Sequence, residues 1–496
     1  MIQRKIIIIS VIIVASIFII FISNTQFRSV EKNNPDSTIH NTEKIKSNFY
    51  IKEYVLANGA LPNGILVDRK GLVWIIGSDS HLYKFDPTIN KVDSVYTIGN
   101  KDETDKKSSL MGWAIVEDND GFIWFSQLGP KPLWRFDPIT ERFELFTSVS
   151  AIPFQMKLDE KSGDIWFTTL GDTLGVIQKF EVTDSIPIHK ITEFELDTDT
   201  FPSGLFLEDG YVWISGVVGN KLIKFKILKD DKQVFGIDKV LQIPEDNKTR
   251  IYSPTDVFVL NNLVWFTEHG TSTISKYQLN EHQVRRFPTS SNLFQTTTLP
   301  FWIKQSPNGD ALWINEHTGN KIALLNTTDL TLVEYEIPSR PADGSIVYPL
   351  GISVDSQNKV WFSEWNVNKI GVIDGNKSIP FDIIVNSTKV RIPRNSNGTT
   401  TVIEVTVLKE DDSPLNVNET NTIFLKTSST MDPSLGLVNI TATFTKEMIF
   451  FNETTKSESV QLLINSNFPP SGNYTLAISA TNGEVTKSVF LDLIIE

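Results

Sequence analysis

Residues 348–374 read YPLGISVDSQNKVWFSEWNVNKIGVID. This pattern recurs along the chain, and its recurrence predicts the fold. A Pro-x-Gly-Ile-like start opens an alternating run, a turn rich in Gly, Asn or Asp follows, and a tryptophan-centred run comes next. Such period-two runs between turn residues are typical of short antiparallel strands. The tryptophan recurs in the same context at Trp74, Trp124, Trp166, Trp213, Trp265, Trp313 and Trp361.

Successive tryptophans are 42 to 52 residues apart, which is the size of one four-stranded propeller blade. Seven copies predict a seven-bladed β-propeller over residues 48–378. The segment IKEYVL at 51–56 resembles LVEYEIP at 332–338, the last strand of the sixth copy, yet it precedes the first copy. We therefore expect it to supply the outer strand of the seventh blade and close the ring. The tryptophans themselves are interpreted as packing between blades.

The N-terminus carries a membrane signal. Arg4 and Lys5 precede an uncharged run from Ile6 to Ile22, whose 17 residues span about 25 Å as a helix. This predicts a signal anchor over residues 1–23 with a cytoplasmic N-terminus and an extracytoplasmic body. Secretion after cleavage of the segment as a signal peptide is the alternative. Residues 24–47 have the composition of a polar, flexible tether.

The C-terminal part differs in composition from the repeat. Residues 379–496 contain no tryptophan, and six or seven Thr-, Ser- and Val-rich runs of strand length predict an immunoglobulin-like β-sandwich. The chain has no cysteine, which excludes disulfides and thiolate metal sites. Nine Asn-x-Ser/Thr triplets predict a glycoprotein, and seven follow residue 375: Asn247, Asn326, Asn376, Asn386, Asn397, Asn418, Asn439, Asn452 and Asn473.

Charge and composition limit the partners. The 496 residues carry a formal net charge of −13, which argues against general nucleic-acid binding. With 40% hydrophobic residues the chain can bury a real core. The expected partners are a small molecule, peptide or glycan at the propeller mouth, and the membrane through the N-terminal helix.

Strand geometry places two rings of residues at one end of the central channel. The inner strand of each blade starts at the Pro motif and the tryptophan strand runs back antiparallel, so the start of one and the end of the other share a rim. The residues after each Pro, or its equivalent, form the first ring: Asn63, Trp113, Phe154, Ser203, Thr255, Phe301 and Leu350. The residues three places after each tryptophan form the second: Gly77, Gln127, Thr169, Gly216, Glu268, Glu316 and Glu364.

Three carboxylates on adjacent blades are the most informative polar feature of these rings. Clustered oxygens from Glu268, Glu316 and Glu364 would suit Mg²⁺ or Ca²⁺, and ordinary hydrogen bonding at the rim is the other interpretation. His269 and His317 directly follow two of these glutamates. Because successive strand residues point to opposite faces, glutamates facing the channel would turn these histidines away from it, unless the strand has already ended at the glutamate.

Aromatic residues give a second candidate site. They would line an apolar pocket at the same mouth, with packing between blades as the alternative interpretation. The predicted ligand-binding residues are Asn63, Trp113, Phe154, Phe301, Trp302 and Trp365.

The motifs VWFTEHGTSTISKY at 264–277, LWINEHTGNKIALLN at 312–326 and YPLGISVD at 348–355 resemble the streptogramin B lyase (virginiamycin B lyase) family. The resemblance covers about residues 50–375. It implies a seven-bladed propeller that opens a cyclic depsipeptide antibiotic by Mg²⁺-assisted elimination across an ester.

The resemblance breaks at the positions that carry the family's chemistry. The family's catalytic histidine would fall at Leu350, its metal-binding glutamate at Tyr348, and a second histidine at Phe301. Elimination needs a base within reach of the acidic proton, and leucine cannot serve as one. The resemblance therefore implies the scaffold without the chemistry.

Three hypotheses of function follow from these observations. The first is a membrane-tethered, extracytoplasmic propeller that binds a ligand or partner at the channel mouth without the elimination chemistry. The second is a divalent-metal lyase or hydrolase that uses Glu316 or Glu364 as base with His317 in support. The third is a structural cell-surface protein whose sandwich makes the contacts.

Overall fold

The computed structural model describes residues 48–99, 111–129, 132–180, 188–230, 233–245, 252–291, 297–341, 344–410, 421–430, 440–452 and 455–496. These residues are almost entirely in strands and turns, with two three-residue 3-10 helices at His269–Thr271 and Trp365–Val367. No helix among them is long and apolar enough to cross a membrane. The predicted anchor over 1–23 and tether over 24–47 lie outside the described residues.

Among the described residues, twenty-eight strands precede residue 375. In chain order they are β1 (Ile51–Val55), β2 (Pro62–Val67), β3 (Val73–Gly77), β4 (His81–Asp86), β5 (Lys91–Thr97), β6 (Gly112–Glu117), β7 (Ile123–Gln127), β8 (Leu133–Asp137), β9 (Arg142–Phe146), β10 (Pro153–Leu158), β11 (Ile165–Thr169), β12 (Thr173–Phe180), β13 (Ile188–Glu195), β14 (Pro202–Glu208), β15 (Tyr211–Gly216), β16 (Lys221–Asp230), β17 (Gln233–Gln242), β18 (Pro254–Leu260), β19 (Leu263–Glu268), β20 (Thr273–Gln278), β21 (Gln283–Pro288), β22 (Pro300–Gln305), β23 (Ala311–Glu316), β24 (Lys321–Asn326), β25 (Leu332–Glu336), β26 (Pro349–Val354), β27 (Lys359–Glu364) and β28 (Lys369–Asp374).

The strands form seven antiparallel four-stranded units, here called blades 1 to 7. Blades 1 to 6 take consecutive groups of four strands, from β2–β5 to β22–β25. Blade 7 consists of β26, β27 and β28, and its outer strand is β1, with Ile51 opposite Ile373. The predicted closing strand is therefore confirmed: the first strand of the chain completes the last blade and joins the two ends of the ring by backbone hydrogen bonds.

The seven repeated tryptophans are all buried, and each packs into the next blade around the ring. Trp74 of blade 1 shares a hydrophobic cluster with Phe125 and Phe136 of blade 2. Trp361 of blade 7 lies 5.4 Å from the ring of Phe85 in blade 1. Their repeated use is thus structural, as predicted, because one large indole per blade fills the wedge between neighbouring sheets.

Each blade has the same irregularity at its inner end. The first residue of the inner strand lies opposite the last residue of the tryptophan strand, as in Pro300↔Glu316 and Pro349↔Glu364. The pairing then shifts by a bulge before it resumes at Ile303 or Ile352. Bulges bend a strand and re-aim its side chains, so the bulges determine which residues of this rim face the channel.

The C-terminal part contains nine strands within the described residues, where six or seven were predicted. They are β29 (Phe381–Val385), β30 (Lys389–Ile392), β31 (Asn397–Lys409), β32 (Thr422–Ser429), β33 (Ile440–Phe444), β34 (Met448–Phe450), β35 (Ser457–Asn467), β36 (Gly472–Thr481) and β37 (Val485–Ile495). One sheet has the order β29-β31-β35-β33 and the other contains β37-β36-β32-β34. Their inward residues, among them Val405, Leu462 and Leu491, belong to one hydrophobic cluster. This is the arrangement of a two-sheet sandwich, and its assignment to the immunoglobulin-like class stays a prediction.

The sandwich is joined to the propeller by a continuous sheet, which the sequence did not predict. Strand β25, the outer strand of blade 6, pairs antiparallel with β37, with Tyr335 opposite Val485. Blade 6 and one sandwich sheet therefore form a single nine-stranded sheet. An ion pair of 3.1 Å between Arg285 of blade 5 and Asp492 of β37 fixes the same junction. The exposed edge of blade 6 is covered by this pairing.

Candidate functional site at the channel mouth

Aromatic side chains close the central channel at the rim where the inner strands begin. Phe154 of blade 3 lies 6.1 Å from Phe301 and 5.3 Å from Trp302, both in blade 6. Blades 3 and 6 are not neighbours in the ring, so these contacts cross the channel. Trp113 of blade 2 adds a further contact, 5.0 Å from Phe154. We call these four residues the aromatic plug; all four are buried.

Two histidines lie against the plug. The rings of His269 and His317 are 5.7 Å apart, and each lies within 5.6 Å of the Phe301 ring. His269 opens the 3-10 helix after β19, and its backbone N–H donates to the carbonyl of Ser253 at 3.0 Å. The backbone N–H of His317 likewise donates to the carbonyl of Leu299 at 3.1 Å. These bonds tie each histidine to the residue just before the Pro motif of its own blade, Ser253 in blade 5 and Leu299 in blade 6.

Tyr348 and Trp365 extend this cluster toward blade 7. The ring of Tyr348 lies 5.9 Å from His317 and 6.3 Å from Trp365. Four of the six predicted ligand-binding residues thus form the plug, and a fifth, Trp365, joins them through Tyr348 and His317. Asn63 lies buried in the same ring on blade 1, and no hydrogen-bond partner for its Nδ2 is found among the described residues.

Burial sets the protonation of both histidines. Burial lowers the pKa of His269 to about 4. Burial, and then the charge of His269, lower the pKa of His317 to about 3. Both imidazoles are therefore neutral at physiological pH, each with one donor and one acceptor nitrogen. The Nε2 of His269 is buried and has no hydrogen-bond partner among the described residues.

The three glutamates of the second ring point into their own blades. The carboxylate of Glu268 accepts two hydrogen bonds from the guanidinium of Arg286 on β21, at 2.7 and 3.0 Å. It also accepts from Ser275 at 2.7 Å and from Thr273 at 3.0 Å, both on β20. All these partners belong to blade 5, on the side away from the channel.

Glu316 and Glu364 occupy the same place in blades 6 and 7, but their surroundings are acidic. Burial, and then the neighbouring Glu334, raise the pKa of Glu316 well above its ordinary value. Lys321 forms its ion pair with Glu334, at 3.2 Å. For Glu364, burial and then Glu53 raise the pKa in the same way. Both carboxyl groups are fully buried, and no hydrogen-bond partner for the Glu364 carboxyl is found among the described residues.

The predicted orientation at this rim therefore requires correction. The glutamates face the interior of their blades and the histidines face the mouth, the reverse of the expected alternation. For Glu268 the physical reason is that a buried carboxylate needs donors or cations, and these stand on the third and outer strands of blade 5. The structure does not bring Glu268, Glu316 and Glu364 together, and no group of metal-ligating side chains is found among the described residues.

His269 and Tyr348 were not among the site residues predicted from sequence. The sequence signal for His269 was its place directly after a rim glutamate, the same place that His317 has after Glu316. The direction of Glu268 depends on Arg286 of β21, and the sequence around His269 does not indicate that contact.

Leu350 is buried at the start of β26 and brings no proton-transfer group to the mouth. The groups that a ligand would meet there are aromatic rings, neutral imidazoles and the hydroxyl of Tyr348. Met111, Leu128, Leu170 and Val367 pack partly buried against the same hydrophobic cluster. The mouth is thus an apolar surface with a few polar atoms, the usual composition of a small-molecule site.

Comparison with known proteins supports the fold of the propeller alone. No protein-family model and no curated protein sequence matches the chain. Selenomethionine-substituted virginiamycin B lyase from Staphylococcus aureus is similar in structure, with a TM-score of 0.50, 23% identity, and coverage of 65% of this chain and 98% of that one. A catalytically inactive variant of the same lyase, solved with quinupristin, gives a TM-score of 0.51 at the same identity and coverage. The chain therefore contains a β-propeller similar in fold to that of virginiamycin B lyase.

Proposed function

We propose that this protein binds an apolar or aromatic small molecule or peptide at the channel mouth, without the elimination chemistry of virginiamycin B lyase. The observation that carries the proposal is the cross-channel aromatic plug with His269 and His317 against it. The plug gives the ligand a floor, because Phe154 and Trp302 prevent passage through the channel. The imidazoles and the Tyr348 hydroxyl supply the polar contacts that orient it.

The protonation of the histidines favours binding over catalysis. A general base works best when its pKa lies near the working pH. With pKa values of about 4 and about 3, His269 and His317 are weak bases but good neutral donors and acceptors. Glu316 and Glu364 are sealed inside their blades, so they do not reach a ligand at the mouth.

An enzyme with a displaced base is the second candidate. It is favoured by one observation: the two histidines lie beside Phe301 and Tyr348, the positions that the resemblance assigns to a family histidine and a metal-binding glutamate. In this candidate, ligand binding must raise the pKa of one imidazole before it can accept a proton. The base would then be His269 or His317, in place of the glutamates expected from sequence.

Quinupristin is a suitable probe, because it accompanies a structural neighbour of the propeller. We expect it to quench or shift the fluorescence of the mouth tryptophans of the full chain on titration, and to be recovered unchanged. His317→Ala and Tyr348→Ala should weaken binding at least tenfold. Phe468→Ala, at an exposed aromatic side chain of the sandwich, is the control and should leave the affinity unchanged.

Chromatography with mass spectrometry distinguishes the two candidates. Ring opening by elimination leaves the mass unchanged but alters retention, whereas hydrolysis adds one water. Turnover that is lost in His269→Ala would replace the binding proposal with the enzyme candidate. Equal binding by wild-type and mouth variants would remove the site assignment altogether.

We further propose that the propeller is tethered outside the cell, by residues 1–23 through the tether at 24–47. Six asparagines of the predicted glycosylation triplets lie among the described residues. Five of these six have exposed side chains, which fits glycan attachment: Asn376, Asn386, Asn397, Asn452 and Asn473. Protease treatment of intact cells should degrade the body of a surface-tethered chain. Protection until the cells are lysed would contradict this placement.

A further inference from the structure

A polar cleft opens where the sandwich meets the outer strand of blade 5. Its volume is about 270 Å³, close to the lower end of the range of small-molecule sites. One wall belongs to blade 5 and carries Gln278, Gln283 and Arg285, and the other belongs to the sandwich and carries Asn473 and Asp492. Because ligands often bind between domains, this cleft is a candidate site outside the mouth.

The register of the sandwich sheet turns Asn473 toward blade 5. Asn473 of β36 lies opposite Ile494 of β37, and Thr475 lies opposite Asp492, so these four side chains share one face of the sheet. On that face the guanidinium of Arg285 pairs with Asp492 at 3.1 Å. Two residues along a strand place the row of Asn473 about 7 Å from this ion pair, within the reach of a small ligand.

The side chains around the opening of the cleft have unused hydrogen-bonding capacity. Asn473, Gln283 and Lys389 are exposed, and Gln278 is half-buried. No hydrogen bond or ion pair of these four side chains is found in the part of the chain that the structure describes. Three amides supply both donors and acceptors, and one ammonium supplies donors. This composition matches a sugar, because sugar hydroxyl groups both donate and accept.

Asn473 is also a predicted attachment point for a sugar. It opens the glycosylation triplet Asn-Tyr-Thr at 473–475, and of the six described acceptor asparagines it alone lines the cleft. Asn397 is a useful comparison, since it is exposed as well but lies outside the cleft. Thr475, which completes the triplet, is buried in the folded sheet. Attachment at Asn473 therefore has to precede the pairing of β36.

We propose that the cleft holds the first sugars of a glycan attached to Nδ2 of Asn473, and that these sugars bridge the sandwich and blade 5. Their hydroxyl groups accept from the Lys389 ammonium and exchange hydrogen bonds with the amides of Gln278 and Gln283. Attachment joins Nδ2 to the anomeric carbon of a phosphate-activated sugar. The bond from that carbon to the phosphate oxygen breaks, the phosphate leaves with the electron pair, and Nδ2 loses one proton. The inference rests on the proposed extracytoplasmic placement of the body.

Peptide mass spectrometry of the full chain, purified from its own cells, tests the attachment. We expect the peptide that contains Asn473 to carry a glycan. Thr475→Val should abolish this modification and Thr475→Ser should retain it, because serine also completes the triplet. An unmodified Asn473 beside a glycosylated Asn397 would overturn the inference and leave the extracytoplasmic placement intact. If all six described acceptors are unmodified although protease degrades the body on intact cells, the inference alone is again overturned.

Hydrogen exchange of the glycosylated full chain tests the bridge. The backbone amides of β21 should exchange at least tenfold faster in Asn473→Gln and in Thr475→Val than in wild type, because the sugars no longer link blade 5 to the sandwich. Asn397→Gln is the matched control and should leave these rates unchanged. Gln283→Ala should raise the rates in wild type but not further in Asn473→Gln, as expected for two partners of one contact. Equal rates in wild type and in both variants that lack the Asn473 glycan would overturn the bridge.

Discussion

The cross-channel contact between Phe154 and Trp302 can be tested by a double-mutant cycle. Phe154→Leu and Trp302→Leu each keep an apolar side chain, so each should cost about 1.5 kcal/mol of unfolding free energy rather than the larger cost of an alanine cavity. The rings are 5.3 Å apart and tilted by 59°, within the range of favourable aromatic pairs. The double variant should therefore lose about 0.5–1.5 kcal/mol less than the sum of the single variants.

Urea unfolding followed by circular dichroism measures each free energy without relying on tryptophan emission. The matched control pairs Phe154→Leu with Phe85→Leu, because Phe85 is buried in blade 1 and packs against Trp361 instead. That pair should be additive within about 0.3 kcal/mol. Additivity of the Phe154 and Trp302 variants would refute the plug, because side chains in direct contact should show an interaction energy.

Three further predictions concern the blade interiors and the domain junction. The stability of Glu316→Gln relative to wild type should increase as pH rises above about 4.5, because the raised pKa of Glu316 in the folded state makes the wild type lose stability with rising pH. A difference in unfolding free energy that does not change with pH in urea titrations would contradict this. Glu268→Gln should instead lower the unfolding free energy of the protein by about 3–5 kcal/mol, since it leaves the buried Arg286 guanidinium without its carboxylate. An equal effect of the two substitutions would count against the distinct surroundings of these glutamates. Removal of residues 485–496 should lower the melting temperature of the propeller together with that of the sandwich, as calorimetry can show, whereas an unchanged propeller transition would argue against the shared sheet.

The propeller ring was predictable because its signals are local and repeated. Each blade has its own turn, alternating run and tryptophan in the sequence. The resemblance of residues 51–56 to residues 332–338 identified the closing strand. The C-terminal strands were also visible as alternating runs, although their number was underestimated. Short strands such as β34 have too few residues to show a period.

The site was predicted only in part because it depends on contacts between distant residues. The rim was located correctly, but the bulge after each inner-strand start and the 3-10 helix at His269 make side-chain direction uncertain from alternation alone. Strand β37 carries no feature that predicts pairing with β25, since any unpaired edge can accept a strand.

NMR titration of the histidines in the full chain shows whether His269 and His317 lie neutral against the aromatic plug. Assignment follows from His269→Gln and His317→Gln, each of which removes one of the six histidine signals. The structure predicts pKa values of about 4 for His269 and about 3 for His317, with both rings neutral at pH 6. Ordinary pKa values near 6.5 for both would show that they are solvated, and would contradict the mouth described above.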